Sequence, residues 1–501
     1  MVESLTNGEK RHFSNLYKFE LTKVEPDNFW LLFESIKNGK SQIPNQDLNS
    51  RALTSSKRLL YDNVLKSLRL LHQNASVDIT IQNLLTDVEI LSNHCLVEQA
   101  KLILNKAYTL AVKNEKFGLL IQALDWEKRL NILLYDNPRS IELIIKEEND
   151  VIEKMLQMKN LESIYSHILT LRRKYGYARG EIKDLLDKET VHSKLMPQFS
   201  ECKSKKAEYY YHLIYSIYLW MTFEHDLAFK HSLPLTRTNE CNVLPSDYVN
   251  GLLQHITSSV CIVKFAEAID TLNQSEQYII ETRLNQSLPF TQMMFTFHSI
   301  YKMVIHNYMG DVDNLRKTVV ETEQMLSQLQ NGMPFVNRQV ILGNLMNSYL
   351  GLNDIEQAEK LWDQLFNKQS KTVRFDIYGD LYLFRLFLLL QQQHFELLLS
   401  SANSAYRFFK KHYDESRQFQ LELSIAQTLR KEQSLQNKRT FQTVISQIKT
   451  MIHQFIVTLK APHNFQEHYT RYLIWCDAIL QQTPFAKVAP KWYRDLMVSV
   501  N

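Results

Sequence analysis

Residues 342–365 read LGNLMNSYLGLNDIEQAEKLWDQL and contain two apolar stripes separated by a short turn segment. In the first stripe, apolar residues recur at steps of three and four, which places their side chains on one face of an α-helix. These residues are Leu342, Leu345, Met346 and Tyr349. The second stripe has the same spacing and consists of Ala358, Leu361, Trp362 and Leu365. The stretch therefore predicts two helices joined by a turn at residues 351–354, whose apolar faces need further helices to cover them.

The same pattern of two stripes around a turn occurs at three other places in the chain. The turns lie at residues 93–95, 310–311 and 391–394. The second stripes after these turns are Ala100, Leu104 and Ala107; Leu315 and Val319; and Leu398, Ala402 and Ala405. Because each helix pair has to pack on its neighbours, the repetition predicts an all-α protein built as a superhelical stack of antiparallel helix hairpins.

These repeats resemble tetratricopeptide repeats. That family has a small residue in the second helix, a bulky apolar residue four positions later and a small or apolar residue seven positions later. The matching sets are Ala100/Leu104/Ala107, Ala358/Trp362/Leu365 and Leu398/Ala402/Ala405. The repeats here are longer, with 43 residues from Leu315 to Ala358 and 40 from Ala358 to Leu398, against roughly 34 in the family. Val88 and Met346 also stand where the family prefers glycine or alanine. The resemblance implies a degenerate α-solenoid, with HEAT-like packing as the alternative.

Composition excludes several classes of protein. The chain has 501 residues, 45% of them hydrophobic, and a net charge of +4, which is ordinary for a globular protein. It contains only 11 glycines. Phosphate-binding loops and strand-to-helix elbows need glycine at positive φ, so nucleotide-binding and α/β-hydrolase architectures are excluded, and we expect few tight turns. Because no catalytic or metal-ligand spacing occurs either, the sequence predicts a non-enzymatic protein without cofactor or metal ion.

The pattern predicts four segments along the chain. They are an N-terminal helical module (1–76), a first helical-repeat block (77–190), a middle helical block with polar linkers (191–285), and a C-terminal repeat block with a cap (286–501).

Cysteine usage and hydropathy indicate the compartment. The cysteines are odd in number and scattered, without a Cys-x-x-Cys pair, so we expect reduced, mostly buried thiols. They are Cys95, Cys202, Cys241, Cys261 and Cys476. Charged residues interrupt the first 15 positions, and no apolar run is long enough to span a bilayer. These observations predict a cytoplasmic protein without membrane contact.

An all-helical scaffold without catalytic motifs predicts binding of a protein or peptide on the concave face, which the first helix of each hairpin lines. Aromatic residues are frequent at positions 209–223. Packing between helices explains most of them, and we expect the others to line a binding groove. The candidate partner-binding residues are Tyr211, Tyr215, Asn344, Asn347 and Arg385. Tetratricopeptide domains that bind chaperone tails carry a lysine where this chain has Gly343, so the sequence does not support a carboxylate clamp.

The alternative is a DNA-binding transcription regulator with an N-terminal helix-turn-helix head and the solenoid as its sensor. A short helix near residues 47–51 and a capping signal at residues 54–56 precede an amphipathic basic helix that starts near residue 55. The candidate DNA contacts are Lys57, Arg58, Lys66 and Arg69. This arrangement also resembles certain peptide-responsive bacterial regulators. The competing interpretation is that these charges only solvate the outer face of a packed helix.

A second basic segment, residues 171–179, interleaves cations with aromatic residues, as single-strand nucleic-acid binders do. A helix C-terminus that ends at Gly176 explains the segment as well, because cations complement the helix dipole, and we favour that interpretation. An all-α enzyme is the least favoured class. It would require a deep pocket where several carboxylates or histidines converge.

Overall fold

The computed structural model describes residues 1–18, 27–39, 50–74, 76–133, 139–237, 243–282, 284, 288–329, 333–367, 375–432, 434–459 and 467–500. Most of these residues are helical, and no β-strand occurs among them. The prediction of an all-α fold is therefore confirmed. Within the part of the chain that the structure describes, no helix combines the length and apolar character needed to span a membrane. Cys241 lies outside the described residues.

The chain divides into two compact units, Met1–Met155 and Leu156–Asn501. The first unit contains α1 (Asn7–Leu16), α2 (Asn28–Lys37), α3 (Ser50–Leu71), α4 (Val77–Asn93), α5 (Val97–Lys113) and α6 (Phe117–Leu133). Helix α7 (Ile141–Tyr175) contributes residues to both units.

The second unit contains the remaining helices. They are α8 (Glu181–Glu189), α9 (Lys205–Met221), α10 (His225–Ser232), α11 (Pro245–Cys261), α12 (Phe265–Glu281), α13 (Leu288–Met309), α14 (Val312–Gln328), α15 (Phe335–Gly351), α16 (Ile355–Asn367), α17 (Phe375–Gln392), α18 (Phe395–Ser416), α19 (Gln420–Lys431), α20 (Lys438–Thr458), α21 (Glu467–Leu480) and α22 (Phe485–Val500).

Helices that follow one another in sequence pack on one another in both units, as for α4 and α5, α11 and α12, and α15 and α16. The stripes predicted from the sequence form these contacts. The residues of the predicted second stripes that are buried are Ala100, Leu104, Ala107, Leu315, Val319, Ala358, Leu365, Leu398, Ala402 and Ala405. Sequential packing of this kind is compatible with a helical-repeat protein.

In most turns between paired helices, a residue other than glycine adopts the left-handed conformation. After α15, Asn353 adopts a left-handed φ of 60°, and the N–H of Asp354 donates to the carbonyl of Tyr349 at 2.8 Å. This six-residue closure satisfies carbonyls at the helix end and is the Schellman motif. Among the described residues, the non-glycine residues in the equivalent left-handed position are Cys95, Glu115, Phe223, Val263, Asn353, Gln393 and Gln482. The expectation of few tight turns was therefore wrong, because side chains other than glycine occupy the left-handed position.

Helix α3 differs from the sequence prediction at its start. It is continuous from Ser50 through residues 54–56, where the sequence predicts a capping signal. Ser56 is buried and its hydroxyl donates to the carbonyl of Ala52 at 2.9 Å, a bond that serines form inside helices. Leu60 packs with the aromatic residues of α1 and α2. The predicted helix start near residue 55 is therefore wrong, and residues 47–49 of the predicted short helix lie outside the described residues.

Candidate functional site: a polar cavity in the second unit

The second unit encloses a cavity of about 460 Å³, within the range of small-molecule and peptide pockets. Its lining comes from α7, α9, α11, α13, α15, α17, α19 and α21, together with the residues just before α8 and α19. Among the described residues, helices α8, α10, α12, α14, α16, α18, α20 and α22 contribute nothing to this lining. Every second helix therefore faces the cavity, and the intervening helices pack behind.

The lining is rich in carboxamides. Among the described residues, seven asparagine and glutamine side chains face the cavity: Asn250, Gln254, Asn337, Gln339, Asn344, Asn347 and Gln418. Each carboxamide offers a donor and an acceptor, which are the two groups that a peptide main chain also presents. Apolar and aromatic residues, including Ile300, Tyr301 and Phe297, lie between them. The surface therefore combines hydrogen-bonding groups with apolar contact area.

Three cavity-lining residues of helix α15 follow one another at steps of four: Gln339, Gly343 and Asn347. Gln339 and Asn347 each have a buried side-chain oxygen without a hydrogen-bond partner among the described residues. Gly343 lies between them, and apart from its chain neighbours and the backbone of α15, a Cβ placed there meets no described atom within 4 Å. Steps of four along a helix keep side chains close to one face. This face of α15 therefore presents two carboxamides on either side of a gap.

An ion pair lies at the wall of the cavity. Arg179 donates from Nη2 to Oε1 of Glu422 at 3.1 Å and to the hydroxyl of Tyr469 at 2.6 Å. The Tyr469 hydroxyl in turn donates to the same carboxylate oxygen at 2.6 Å. Burial alone would raise the pKa of Glu422, but the Arg179 charge and the Tyr469 hydrogen bond outweigh burial and lower it. The pair is therefore held in its charged form.

The guanidinium of Arg179 is also surrounded by aromatic rings, with Phe223, Phe419, Phe455 and Tyr469 at 5.5–5.8 Å from it. Such contacts stabilise a cation that is removed from water. The next residue, Gly180, has a φ of 54°, and a Cβ there would lie 2.5 Å from the carbonyl oxygen of Ser416. Glycine is required here both by the backbone conformation and by this close approach.

A second ion pair lies at the same wall, between α17 and α21. Arg471 donates to Oδ1 of Asp380 at 2.6 Å, and the hydroxyl of Tyr472 donates to that oxygen at 2.5 Å. Burial would raise the pKa of Asp380, but the charge of Arg471 outweighs burial and lowers it. Two guanidinium and two carboxylate groups of the lining therefore neutralise one another within the protein.

The structure separates the predicted partner-binding residues into two groups. Asn344 and Asn347 line the cavity, and the Asn344 side chain also donates to the carbonyl of Val340 at 2.9 Å. Arg385 is not part of the lining. Its guanidinium pairs with Glu359 at 2.9 Å and stacks on Trp362 at 4.8 Å, so it joins α16 to α17.

Tyr211 and Tyr215 lie outside the cavity lining and belong to an aromatic cluster between α9 and α10. Their rings are 4.5 Å apart, and the ring of His231 stacks on Tyr215 at 5.1 Å. His231 also approaches His212, with the two Nδ1 atoms 3.2 Å apart. Burial and the nearby His231 lower the pKa of His212 to about 4. The cluster is therefore neutral near pH 7, and its contacts pack two consecutive helices together.

The four candidate DNA contacts lie on α3 of the first unit. Lys57, Arg58, Lys66 and Arg69 are all exposed. Their helix carries Leu60 and Val64 on its buried side. Charged residues on the solvent side of an amphipathic helix are the usual arrangement in globular proteins.

The basic segment at residues 171–179 serves two purposes. Helix α7 ends at Tyr175 and Gly176 follows with a φ of 67°, so the predicted helix end at Gly176 is confirmed. The sequence did not reveal that Arg172 and Arg179 line a cavity. Arg172 donates to Oε1 of Gln254 at 3.2 Å. The signal that could have pointed to such a site is the mixture of cations and aromatic residues in this segment, which spans the end of α7.

Comparison with protein-family models gives no match for this chain, and comparison with curated protein sequences gives none either.

Proposed function

We propose that this protein is a non-enzymatic interaction protein that binds an extended segment of a protein or peptide in the cavity of the second unit. The tetratricopeptide-like spacing in the sequence supports a binding scaffold of this class. Contacts in the cavity would be hydrogen bonds from side chains to the bound main chain, with apolar packing between them.

One observation carries this proposal: the seven carboxamides in a cavity that every second helix lines. A cavity made for a metal or for acid–base catalysis would bring together unpaired carboxylates, histidines or cysteines. Here Asp380 and Glu422, two of the lining carboxylates, are engaged with arginines. Side chains that offer both a donor and an acceptor suit the repeating N–H and C=O groups of a peptide.

The proposal is tested by selecting peptides from a randomised twelve-residue library on the full-length chain and measuring their affinity by calorimetry. We expect binding with one peptide per chain. Replacement of Gly343 by Trp directs an indole into the cavity and is expected to abolish binding without lowering the melting temperature. Failure to select any peptide, or selected peptides that bind the Gly343→Trp variant as tightly, would overturn the proposal.

The competing function, a DNA-binding regulator, is supported by the exposure of the four basic residues on α3. It predicts that affinity for duplex DNA falls steeply with salt concentration and is lost when Lys66 and Arg69 are replaced by Ala. Peptide binding in the cavity predicts weak salt dependence and no effect of these replacements. Fluorescence anisotropy with a labelled duplex and a labelled selected peptide separates the two functions.

A further inference from the structure

Gly343 lies in the interior of α15 although neither its backbone nor its packing requires glycine. Its φ is not in the left-handed region, and apart from its chain neighbours and the backbone of α15, no described atom lies within 4 Å of where a Cβ would stand. Glycine in a helix interior is less favourable than alanine, because the unfolded chain loses more conformational freedom there. What glycine provides at this position is a gap in the wall of the cavity.

The side chains four residues before and four residues after this gap have unused hydrogen-bonding capacity. Oε1 of Gln339 and Oδ1 of Asn347 are buried and have no partner among the described residues. Gln339 as a whole is only 5% exposed. Buried acceptors in proteins are nearly always paired with protein or water. A bound molecule that donates N–H groups would pair with these oxygens.

We infer that an extended peptide segment runs along α15. Its main chain contacts Gly343 and donates N–H groups to Gln339 and Asn347. This inference rests on the proposed function. It states that the face of α15 around Gly343 is the part of the cavity that contacts the peptide, and that the main chain is the part of the peptide that is bound there. Because Gly343 has no side chain, a peptide main chain can approach α15 closely at this position. Close approach of this kind is the usual reason for a glycine beside a bound molecule.

The spacing along the helix agrees with this geometry. Eight residues separate Gln339 from Asn347, which corresponds to about 12 Å along the helix axis. Four residues of an extended chain span about 13 Å. Because main-chain N–H groups alternate in direction along an extended chain, residues four apart present theirs to the same side. The axial distance between the two positions on α15 therefore matches the spacing of the N–H groups of residues k and k + 4 in an extended peptide.

The first test uses Gly343→Ala and the tightest twelve-residue peptide from the library selection. Alanine adds only a Cβ in the gap, so we expect at least tenfold weaker peptide binding together with a higher melting temperature. A gain in stability excludes unfolding as the cause of weaker binding. Gly118→Ala is the matched control, since Gly118 lies in α6 of the first unit and its Cβ also meets nothing within 4 Å. We expect that variant to bind the peptide like the wild type.

The second test methylates each main-chain nitrogen of the same peptide in turn. We expect two sensitive positions, four residues apart, at each of which methylation weakens binding at least tenfold. In Gln339→Ala or Asn347→Ala, methylation at the corresponding position should cause no further loss, since the acceptor has already been removed. This coupling identifies the individual hydrogen bonds.

The outcomes separate this inference from the proposed function. A flat methylation profile, sensitive positions at another spacing, or wild-type affinity in Gly343→Ala would overturn the inference, while binding that is still abolished in Gly343→Trp would leave the proposed function standing. Peptides that bind Gly343→Trp normally would overturn both.

Discussion

Replacing Glu422 by Gln removes one charge from the buried ion pair while keeping the shape of the side chain and an acceptor for Tyr469. The Glu422 side chain is 2% exposed and that of Arg179 is 17% exposed, so water screens the pair weakly. Two unit charges about 4 Å apart attract by about 4 kcal/mol at the effective dielectric constant of about 20 that suits protein sites. Removing one partner of a buried pair costs about 3–5 kcal/mol, because the other charge stays buried and uncompensated. We therefore expect Glu422→Gln to lower the free energy of unfolding by about 3–4 kcal/mol.

The assay is urea unfolding of the full-length protein at pH 7, followed by circular dichroism. Glu356→Gln is the control, since Glu356 forms an exposed ion pair with Lys360 at 2.7 Å on α16, and we expect no measurable change there. The double replacement of Arg179 by Met and Glu422 by Leu should recover most of the loss, because no unpaired charge remains. A loss below about 1 kcal/mol in Glu422→Gln would refute the reasoning, since it would mean that water reaches Arg179 and screens its charge.

Three further predictions concern the second unit and two thiols of the chain. The charge of Arg179 and the Tyr469 hydrogen bond outweigh burial and lower the pKa of Glu422, so the stabilisation by the ion pair is fully present above the unfolded value of about 4.3 and is lost as pH falls through the lower folded value. The difference in unfolding free energy between wild type and Glu422→Gln should therefore shrink below about pH 4, and a constant difference down to pH 2.5 would contradict this. Gly180→Ala should destabilise the unit by at least about 2 kcal/mol, because its left-handed backbone and the 2.5 Å approach of the Ser416 carbonyl both oppose a Cβ; an unchanged urea midpoint would contradict it. Burial raises the pKa of Cys476, whereas Cys95 is exposed, so a thiol reagent at pH 8 should label Cys95 in the folded protein and Cys476 only in urea, with peptide mapping as the measurement.

The helical fold could be predicted because its determinants are local. Steps of three and four residues identified Ala100, Ala358 and Leu398 as core positions, and all three are fully buried. The turn at residues 351–354 was recognisable from the break between two stripes. Turn chemistry was harder to predict, because Asn353 and six other described non-glycine residues adopt the left-handed conformation in such turns, where the sequence gives no glycine as a signal.

The cavity could be predicted only in part. Asn344 and Asn347 line it because they lie on the first helix of a predicted pair. The same reasoning selected Arg385, but a favourable ion pair and indole contact hold that side chain between two helices. Arg179 escaped detection because its partner Glu422 lies 243 residues further along the chain. No local pattern encodes such a contact, and only the three-dimensional arrangement brings its members together.

The contact between residues 177–180 and the helices α19 and α21 has a consequence for how this protein tolerates insertions. In an open array of helical repeats, pairs can be added or removed because each pair touches only its neighbours. Here Arg179 has to meet Glu422 and Tyr469 after a fixed number of intervening helices. One additional pair would displace Glu422 by about 10 Å, the distance between packed helices, and leave a buried cation behind. The number of helices between Arg179 and Glu422 is thereby fixed, and with it the dimensions of the cavity that these helices line.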